Sequence, residues 1–553
     1  MLPLNTVLKR LQVPHDAEEL PPTALISRDV KPIEPERRTW NGAAMFSLWG
    51  LLAFNMANWQ LGSSLLSVGL NWWQCFLATL IGHLLAAAMV VIASFPGLHY
   101  HISFPVSMRI AWGLFGSIFV VLNRILLSIV WFGVQSWLGG TMTYVCLRAM
   151  WPSIDNVPAT FPASTGMTLP QFIGFIVFYV IQLPILLLNP KQLRFLVMGS
   201  TIIGFIVQLV LLIWACATMK GFGSVLKDES PTTGSLGWSF MYGITVTISS
   251  ITAGILSVCD FSRFARTPAA GQWPQFLGFL PAWLGNVFGI ITVAATQQRF
   301  GAQLWSVTGL LVAIQDADQT HGTRAAVWFC GAAFLVSQLA LNAAGNSFSG
   351  GCDMAALLPR WINIRRGQYL TAILGLAINP WYLLSGASVF LSVMSGYSIF
   401  IQPSLGIIVG HYFVLQRQRI RVSDLYHVGD NSIYWYTFGC NWRAFVAWLV
   451  GVTSHLPGFL ATLNKSITVS AASKNLYTLT SMTSFTFAFA TILILSYAFP
   501  VRRQREFADS HTRQQARQLC EEFITSSAIL RLESAMSLPE PIEEYSEVQK
   551  VKE

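Results

Sequence analysis

Asn71-Trp-Trp-Gln-Cys-Phe-Leu-Ala-Thr-Leu-Ile-Gly-His-Leu-Leu-Ala-Ala-Ala-Met-Val-Val-Ile-Ala-Ser-Phe95 runs for 25 residues without one Asp, Glu, Lys or Arg. A hydrocarbon core of about 30 Å is crossed by about 20 predominantly apolar residues, so this stretch reads as a membrane span. The same poverty of charge extends outward from it. Between Trp40 and Pro500 there are nine carboxylates: Asp155, Asp228, Glu229, Asp260, Asp316, Asp318, Asp353, Asp424 and Asp430. The other sixteen of the chain's 25 acids sit in the two tails. Hydrophobic residues make up 53% of the chain and charged ones 11%, against roughly a quarter charged in a soluble domain. The chain is an integral membrane protein.

Twelve apolar segments emerge, near 43–65, 71–95, 114–146, 169–188, 195–217, 237–258, 275–296, 325–350, 367–385, 388–414, 441–463 and 478–500. Barrel strands would be about ten residues long with polar alternate positions. These runs are longer and apolar on every face, so an all-α protein of 12 transmembrane helices is expected.

The formal net charge of +9 raises nucleic acid as a partner, but the basic residues are scattered among short loops rather than gathered on one surface, and no nucleic acid is expected. With the amino terminus in the cytoplasm, the inside loops hold His99, His101, Arg109, Lys191, Arg194, Arg263, Arg266, Arg360, Arg365, Arg366, Arg417, Arg419 and Arg421. Outside loops hold fewer: Arg148, Lys220, Lys227, Arg299, Arg324, Lys465 and Lys474. That asymmetry puts both termini in the cytosol, as an even helix count requires. The eight cysteines show no CxxC spacing, so neither a disulfide framework nor a metal site is indicated. No Walker loop, nucleophile elbow or paired carboxylates occur, and enzymatic function has no support.

Residues 1–39 and 501–553 read as cytosolic tails flanking a transporter domain at 40–500. The second tail ends in an acidic run, Glu540 to Glu547. Such tails are usually just solvated; a regulatory use, with Lys550 and Lys552 as modification sites and trafficking machinery as partner, is the other reading. Small residues and proline punctuate the body at Gly62-Ser63-Ser64, Gly133, Gly139-Gly140, Gly345, Gly350-Gly351 and Asn379-Pro380, where breaks are expected. A helix broken at membrane depth must line a cavity or be buried in protein, because lipid cannot satisfy its freed backbone. Segment one carries Asn55, Asn58, Trp59 and Gln60, and segment six carries Thr245, Thr247, Ser249, Ser250, Thr252 and Gly254. These polar middles would head two five-helix repeats of opposite topology, near 43–217 and 237–414, with two extra helices at 441–500.

Trp131 and Gln135 lie four apart in segment three and therefore share a helical face. An indole face beside a carboxamide suits a flat heterocycle with N–H and C=O groups. Equally, Trp131 could simply pack and Gln135 bond another helix. Segment eight holds Asn342 and Asn346, amides four apart that close helix packing does not require and that are costly at depth unless paired or facing water. Asp260 and Asp353 are the acids near the ends of these key helices. Asp260 is expected to pair with Arg263, whereas Asp353, nearer the amides, is the candidate for proton coupling. His83, in segment two, is its rival, since histidine titrates near neutrality when unperturbed.

Several motifs, taken in order, resemble one family: Pro35-Glu-Arg-Arg-Thr-Trp40, Gly62-Ser-Ser, Trp72-Trp-Gln74, Phe104-Pro-Val106, Leu122-Asn-Arg124, Trp131-Phe-Gly-Val-Gln135, Asp260-Phe-Ser-Arg-Phe264, Asp424-Leu-Tyr-His427, Tyr434-Trp-Tyr436 and Asn441-Trp-Arg-Ala444. Together they are similar to the fungal-type branch of nucleobase cation symporter family 1, which includes uracil, allantoin and uridine permeases. The resemblance covers about Pro35 to Pro500. It implies a leucine-transporter-type fold, a 5+5 inverted repeat plus two helices, with a small planar heterocyclic substrate held between helices 1, 3, 6, 8 and 10.

On that resemblance Trp131 is the stacking residue, and Gln135 and Asn346 are its amide partners. Asn342, Gln60, Ser250 and Ile251 complete the expected substrate contacts; Ile251 stands where the sodium-coupled bacterial hydantoin relative stacks a second tryptophan. Tyr397, Ser398 and Phe400 fall at an outer gate. That relative has a serine and a threonine immediately before the first asparagine of helix 8, and here those places hold Ala340 and Leu341. Aliphatic side chains cannot ligate sodium, a hard cation that prefers oxygen, so protons are the expected coupling ion. No cofactor is expected. The reading is a proton-coupled importer in the plasma membrane; a non-transporting nutrient sensor on the same scaffold and an amino-acid carrier of the same fold superfamily are the alternatives.

Overall fold

Backbone groups in hydrocarbon must find partners within their own segment, and the chain answers that demand with helices. The computed structural model describes residues 12–13, 25–26 and 29–536, apart from 159, 163–164, 189, 222–234, 385 and 465. Asp228, Glu229, Lys227, Lys465 and the tail features Glu540 to Glu547, Lys550 and Lys552 lie outside the described residues. Among the described residues the regular elements are helical, with two isolated β-bridges, Trp40 to Ala265 and Thr437 to Cys440.

All twelve apolar segments fall on helices, but not all on single long ones. Eight helices among the described residues are long and apolar enough to cross a membrane: Trp72–Tyr100, Gly116–Met150, Phe195–Thr218, Leu236–Leu256, Pro268–Phe300, His321–Leu357, Ala387–Leu415 and Thr480–Ala498. The pair Trp442–Thr453 and Leu456–Leu463, bent by 48°, makes a ninth. The remaining three segments lie on shorter pieces. Segment one is divided into Gly42–Ala53 and Met56–Leu66, segment four is the 17-residue helix Leu169–Ile185, and segment nine is Ile364–Ala377 followed by a tight turn at Pro380–Leu384.

The breaks do not fall where small residues alone would put them. Segment one parts at Phe54-Asn55, seven residues before Gly62. There Asn55 caps the second half by accepting from the Asn58 N–H at 3.0 Å, while its amide donates to the Leu52 carbonyl at 2.6 Å. Asn58 Nδ2 donates to the Ala53 and Ala282 carbonyls at 2.8 and 2.6 Å, and its Oδ1 accepts from Asn286 at 2.8 Å. A helix end needs such partners wherever water is excluded. Gly62 stays inside the helix, and a Cβ there would lie 2.5 Å from the Asn286 carbonyl oxygen. Segment six likewise runs through Gly254 to Leu256 before the short helix Cys259–Ser262.

Gly133, Gly139 and Gly140 do not interrupt segment three, which is one helix of 35 residues. They let neighbours approach closely: a Cβ on Gly140 would sit 2.5 Å from Phe175 Cα, and one on Gly133 2.7 Å from the Gly375 carbonyl. Small residues at helix crossings do this throughout membrane proteins. Segment eight is not broken at Gly345 or Gly350-Gly351 either; it widens into a π-helical turn over Asn342–Phe348. Segment nine does end at Asn379-Pro380, where Asn379 takes a positive φ of 50°.

Two groups of helices result. Segments one, two, six and seven pack on one another, and segments three, four, eight and nine form a second group, with segment five bridging to segment eight. Segment ten packs against the appended helices Trp442–Thr453 and Thr480–Ala498. The described parts of both tails meet at one end, where Arg38 and Glu521 form a two-pronged ion pair at 2.9 and 3.0 Å. Close by, Trp40 exchanges backbone hydrogen bonds with Phe264 and Arg266, both 2.9 Å, tying the start of segment one to the end of segment six.

Candidate functional site

The uninterrupted helix Gly116–Met150 presents Arg124, Ser128, Trp131 and Gln135 along one stripe, and all four line a cavity of about 130 Å³. Spacings of four, three and four residues keep such a set on one face. Trp131 is 8% exposed and stands perpendicular to Tyr397, ring centroids 5.9 Å apart. The Tyr397 hydroxyl donates to the Ser249 carbonyl, which ties segment ten to segment six beside the indole.

Segment eight brings Asn346 to the same cavity from its π-helical turn, a feature frequent at functional sites. Behind it, Asn346 Nδ2 donates to Asn342 Oδ1 at 3.0 Å. Asn342 Nδ2 in turn meets the Phe132 carbonyl, Ser136 Oγ and Gln182 Oε1 at 3.2, 2.9 and 2.9 Å. One turn earlier on segment eight, Gln338 Nε2 donates to Gln135 Oε1 at 2.7 Å.

The opposite wall comes from segments one, six and seven and is largely apolar: Trp49, Leu52, Leu61, Ile251, Phe279 and Ala282. Asn55 and Asn58 also reach it, but their amides are engaged with the helix break. Ser250 lines the cavity too, its hydroxyl donating to the Thr247 carbonyl at 2.8 Å. Met394, one turn before Tyr397, comes in from segment ten.

Of the residues singled out in the sequence, Trp131, Gln135, Asn346, Ser250 and Ile251 therefore share one cavity, and Tyr397 touches Trp131. The others lie elsewhere. Asn342 is buried one layer behind Asn346. Gln60 is buried and outside the cavity lining, a consequence of the break lying at Phe54-Asn55. Ser398 bonds back to the Ser395 carbonyl at 2.6 Å, and Phe400 faces the appended helices, with its ring against Trp448 and Phe459. His83 binds the Thr79 carbonyl at 2.8 Å, and its ring lies 6.4 Å from that of Phe279.

Asp353 is fully buried and forms an ion pair with Arg124 at 3.3 Å, so it reaches the cavity only through the arginine. Arg124 also donates to Ser128. Asp260 does not make the ion pair expected with Arg263. Its carboxylate accepts from the Phe104 N–H at 2.9 Å, while Arg263 donates to the backbone carbonyls of Asp260 and Asp29. Sequence reasoning missed Arg124, Gln338 and Met394 as site residues. A lone arginine in an apolar segment was the available signal for Arg124, and the four-residue spacing of Gln338, Asn342 and Asn346 was the signal for Gln338.

With the fold and cavity in view, relatives can be compared. Residues 32–505 match the family model described as a permease for cytosine/purines, uracil, thiamine and allantoin. The chain is 36% identical to the allantoin permease of Saccharomyces cerevisiae over 488 residues, covering 86% of this chain and 76% of that one. It is 34% identical over 487 residues to the uracil permease of the same yeast, with the same two coverages. Among solved structures, Mhp1, a nucleobase-cation-symport-1 family transporter in a closed conformation with bromovinylhydantoin bound, superposes with a TM-score of 0.67 at 20% identity, covering 87% of this chain and 99% of that one. That likeness shows the leucine-transporter-type membrane fold, and the sequence relatives are permeases rather than enzymes. The chain belongs to the cytosine/purine, uracil, thiamine and allantoin permease family.

Proposed function

We propose that this protein imports a small planar heterocycle of the uracil, allantoin or uridine class together with protons, by alternating access around the cavity. The observation that carries this reading is the meeting of Trp131, Gln135 and Asn346 around one buried space, opposite Ile251. An indole face, two carboxamides and an aliphatic wall suit a flat guest with a polar edge. The relatives named for allantoin and uracil fit the same chemistry, since both compounds carry a ring rich in adjoining C=O and N–H groups.

Twelve crossings, repeats near 43–217 and 237–414, both termini in the cytosol and residence in the plasma membrane belong to this proposal. The meeting of both tails at one end supports the shared side. Proton coupling is supported by Ala340 and Leu341, which offer no oxygen ligand to sodium, and by the Arg124–Asp353 pair at the cavity wall. Asp353 is the proposed proton carrier, and His83, behind Phe279, is the second candidate. Tyr397, on the edge of Trp131, is the proposed gate.

Uptake of labelled uracil, allantoin and uridine by cells lacking other carriers, at two external pH values, tests the reading. Uptake of one of them, faster at the lower pH, is expected. Gln135→Ala and Asn346→Ala should lower it by about 100-fold or more, since each removes a buried hydrogen-bonding group from the site. Undiminished uptake in both variants, at wild-type amounts in the membrane, refutes the assignment.

A further inference from the structure

A carboxamide can turn either its oxygen or its nitrogen toward a guest, and which end it shows is decided by what stands behind it. Both cavity amides are backed by groups that leave them no choice. Asn342 Nδ2 faces the Phe132 backbone carbonyl at 3.2 Å, and a carbonyl can only accept. That carbonyl also takes the Ser136 hydroxyl proton at 2.7 Å, so Ser136 Oγ is an acceptor toward Asn342 at 2.9 Å. With its nitrogen committed to these acceptors, Asn342 offers only Oδ1 forward. Asn346, a cavity-lining residue, answers with Nδ2 at 3.0 Å, which leaves its own Oδ1 for a guest.

The same logic runs through Gln338. Its Nε2 lies 3.4 Å from the Gln135 backbone carbonyl and 2.7 Å from Gln135 Oε1. Gln338 Oε1 has no partner among the described residues, so the Gln135 backbone carbonyl decides its orientation: turning Gln338 over would set its oxygen against that carbonyl. Gln135 therefore gives its oxygen to Gln338 and shows Nε2 to the cavity, where among the described residues no protein group takes it up. Gln338 is fully buried and Asn342 is 1% exposed, so water does not reach in to relax either constraint.

We infer that Gln338 and Asn342 are positioning residues that fix the hydrogen-bond polarity of the pocket: an N–H from Gln135 and a C=O from Asn346. The guest this polarity takes is a ring with one carbonyl and one N–H on the edge it turns to segments three and eight, a lactam or cyclic ureide. Guests offering acceptors alone leave the Asn346 oxygen facing another lone pair. Guests offering donors alone on that edge leave the Gln135 N–H facing another N–H. The inference rests on the transport reading above and goes further, since it assigns a separate half of the specificity to each backing residue.

The test measures inhibition by uracil, 2,4-dithiouracil and 1,3-dimethyluracil of whichever labelled substrate the wild type accumulates, with membrane abundance and thermal midpoint as controls. 2,4-Dithiouracil keeps both N–H groups but replaces each C=O by C=S, a weak acceptor, and 1,3-dimethyluracil has no N–H. Wild type should favour uracil over each by about tenfold or more, the discrimination expected of a site built to hydrogen-bond. In Gln338→Met, Gln135 is free to turn, so the margin against dithiouracil should narrow by about tenfold while that against dimethyluracil holds. In Asn342→Leu, Asn346 is free to turn and the opposite pattern is expected.

Margins that stay unchanged in both variants overturn the inference, as does an equal weakening of all three inhibitors, which is what a merely structural role would give. If Asn342→Leu does not reach the membrane, Gln338→Met decides alone through its dithiouracil margin. A wild type that accumulates none of uracil, allantoin or uridine brings down the transport reading itself, and this inference with it.

Discussion

The two walls of the cavity are both supplied with buried amides, and they use them oppositely. On the wall built by segments one and seven, Asn55, Asn58 and Asn286 turn their groups on one another and on the carbonyls freed by the break at Phe54-Asn55. On the wall built by segments three and eight, Gln135 and Asn346 each spend one end on a backing residue and keep the other for the cavity. Residue type does not separate the two uses. What separates them is where the unspent atoms lie: Asn286 Oδ1 is left over inside the buried wall, whereas Gln135 and Asn346 line the cavity and keep theirs there.

The largest effect that would sharpen this contrast concerns the charged pair beside the cavity. Arg124→Met strands Asp353 without a partner and should cost about 3–5 kcal/mol, read as a lower denaturation midpoint of the purified protein. Adding Asp353→Leu should restore most of that stability, because a well-packed apolar pair replaces the ions. The double variant should at the same time lose the pH dependence of uptake; retained dependence would point to another acid.

Next in size is the test of the walls themselves. Asn58→Ala should destabilise the protein by about 1–3 kcal/mol by orphaning the Ala53 carbonyl, since the Ala282 carbonyl keeps the Asn286 amide at 3.1 Å. Asn346→Ala should shift the midpoint far less, since cavity water can take up the Asn342 oxygen it leaves behind. Equal stability losses in the two variants would erase the distinction. The smallest effect is at Ile251. Removing its side chain in Ile251→Ala should weaken substrate affinity by about tenfold through lost apolar contact alone, leaving the margins among uracil, dithiouracil and dimethyluracil as they are.

Much of this was legible from residue order, for identifiable reasons. Charge depletion located the spans because hydrocarbon tolerates so few ions, and the four-residue spacing of Trp131 and Gln135 set them on one face because helical periodicity is local. Gln60 went astray because the break was read from Gly62, whereas the structure breaks where Asn55 and Asn58 can catch the freed backbone. Glycine permits a break but more often serves close packing, as Gly133 and Gly140 do. Gln338 and Arg124 were invisible as site residues for a different reason: their partners, Gln135 and Asp353, are 203 and 229 positions away, and no local pattern announces such meetings. Tyr397 was expected at an outer gate and lies against the Trp131 indole, yet Met394, an unremarkable residue one turn earlier, is the side chain from segment ten that lines the cavity among the described residues.

The unbroken helix from Gly116 to Met150 has one more implication. At 35 residues it is about 50 Å long and offers no joint at which to bend. Arg124, Ser128, Trp131 and Gln135 are thus mounted on a single rigid rod and keep their mutual spacing whatever the rest of the protein does. Inserting one residue between Ser128 and Trp131 would swing the upper pair about 100° around the rod axis relative to the lower, separating Arg124 and Ser128 from Trp131 and Gln135 without altering any of the four side chains.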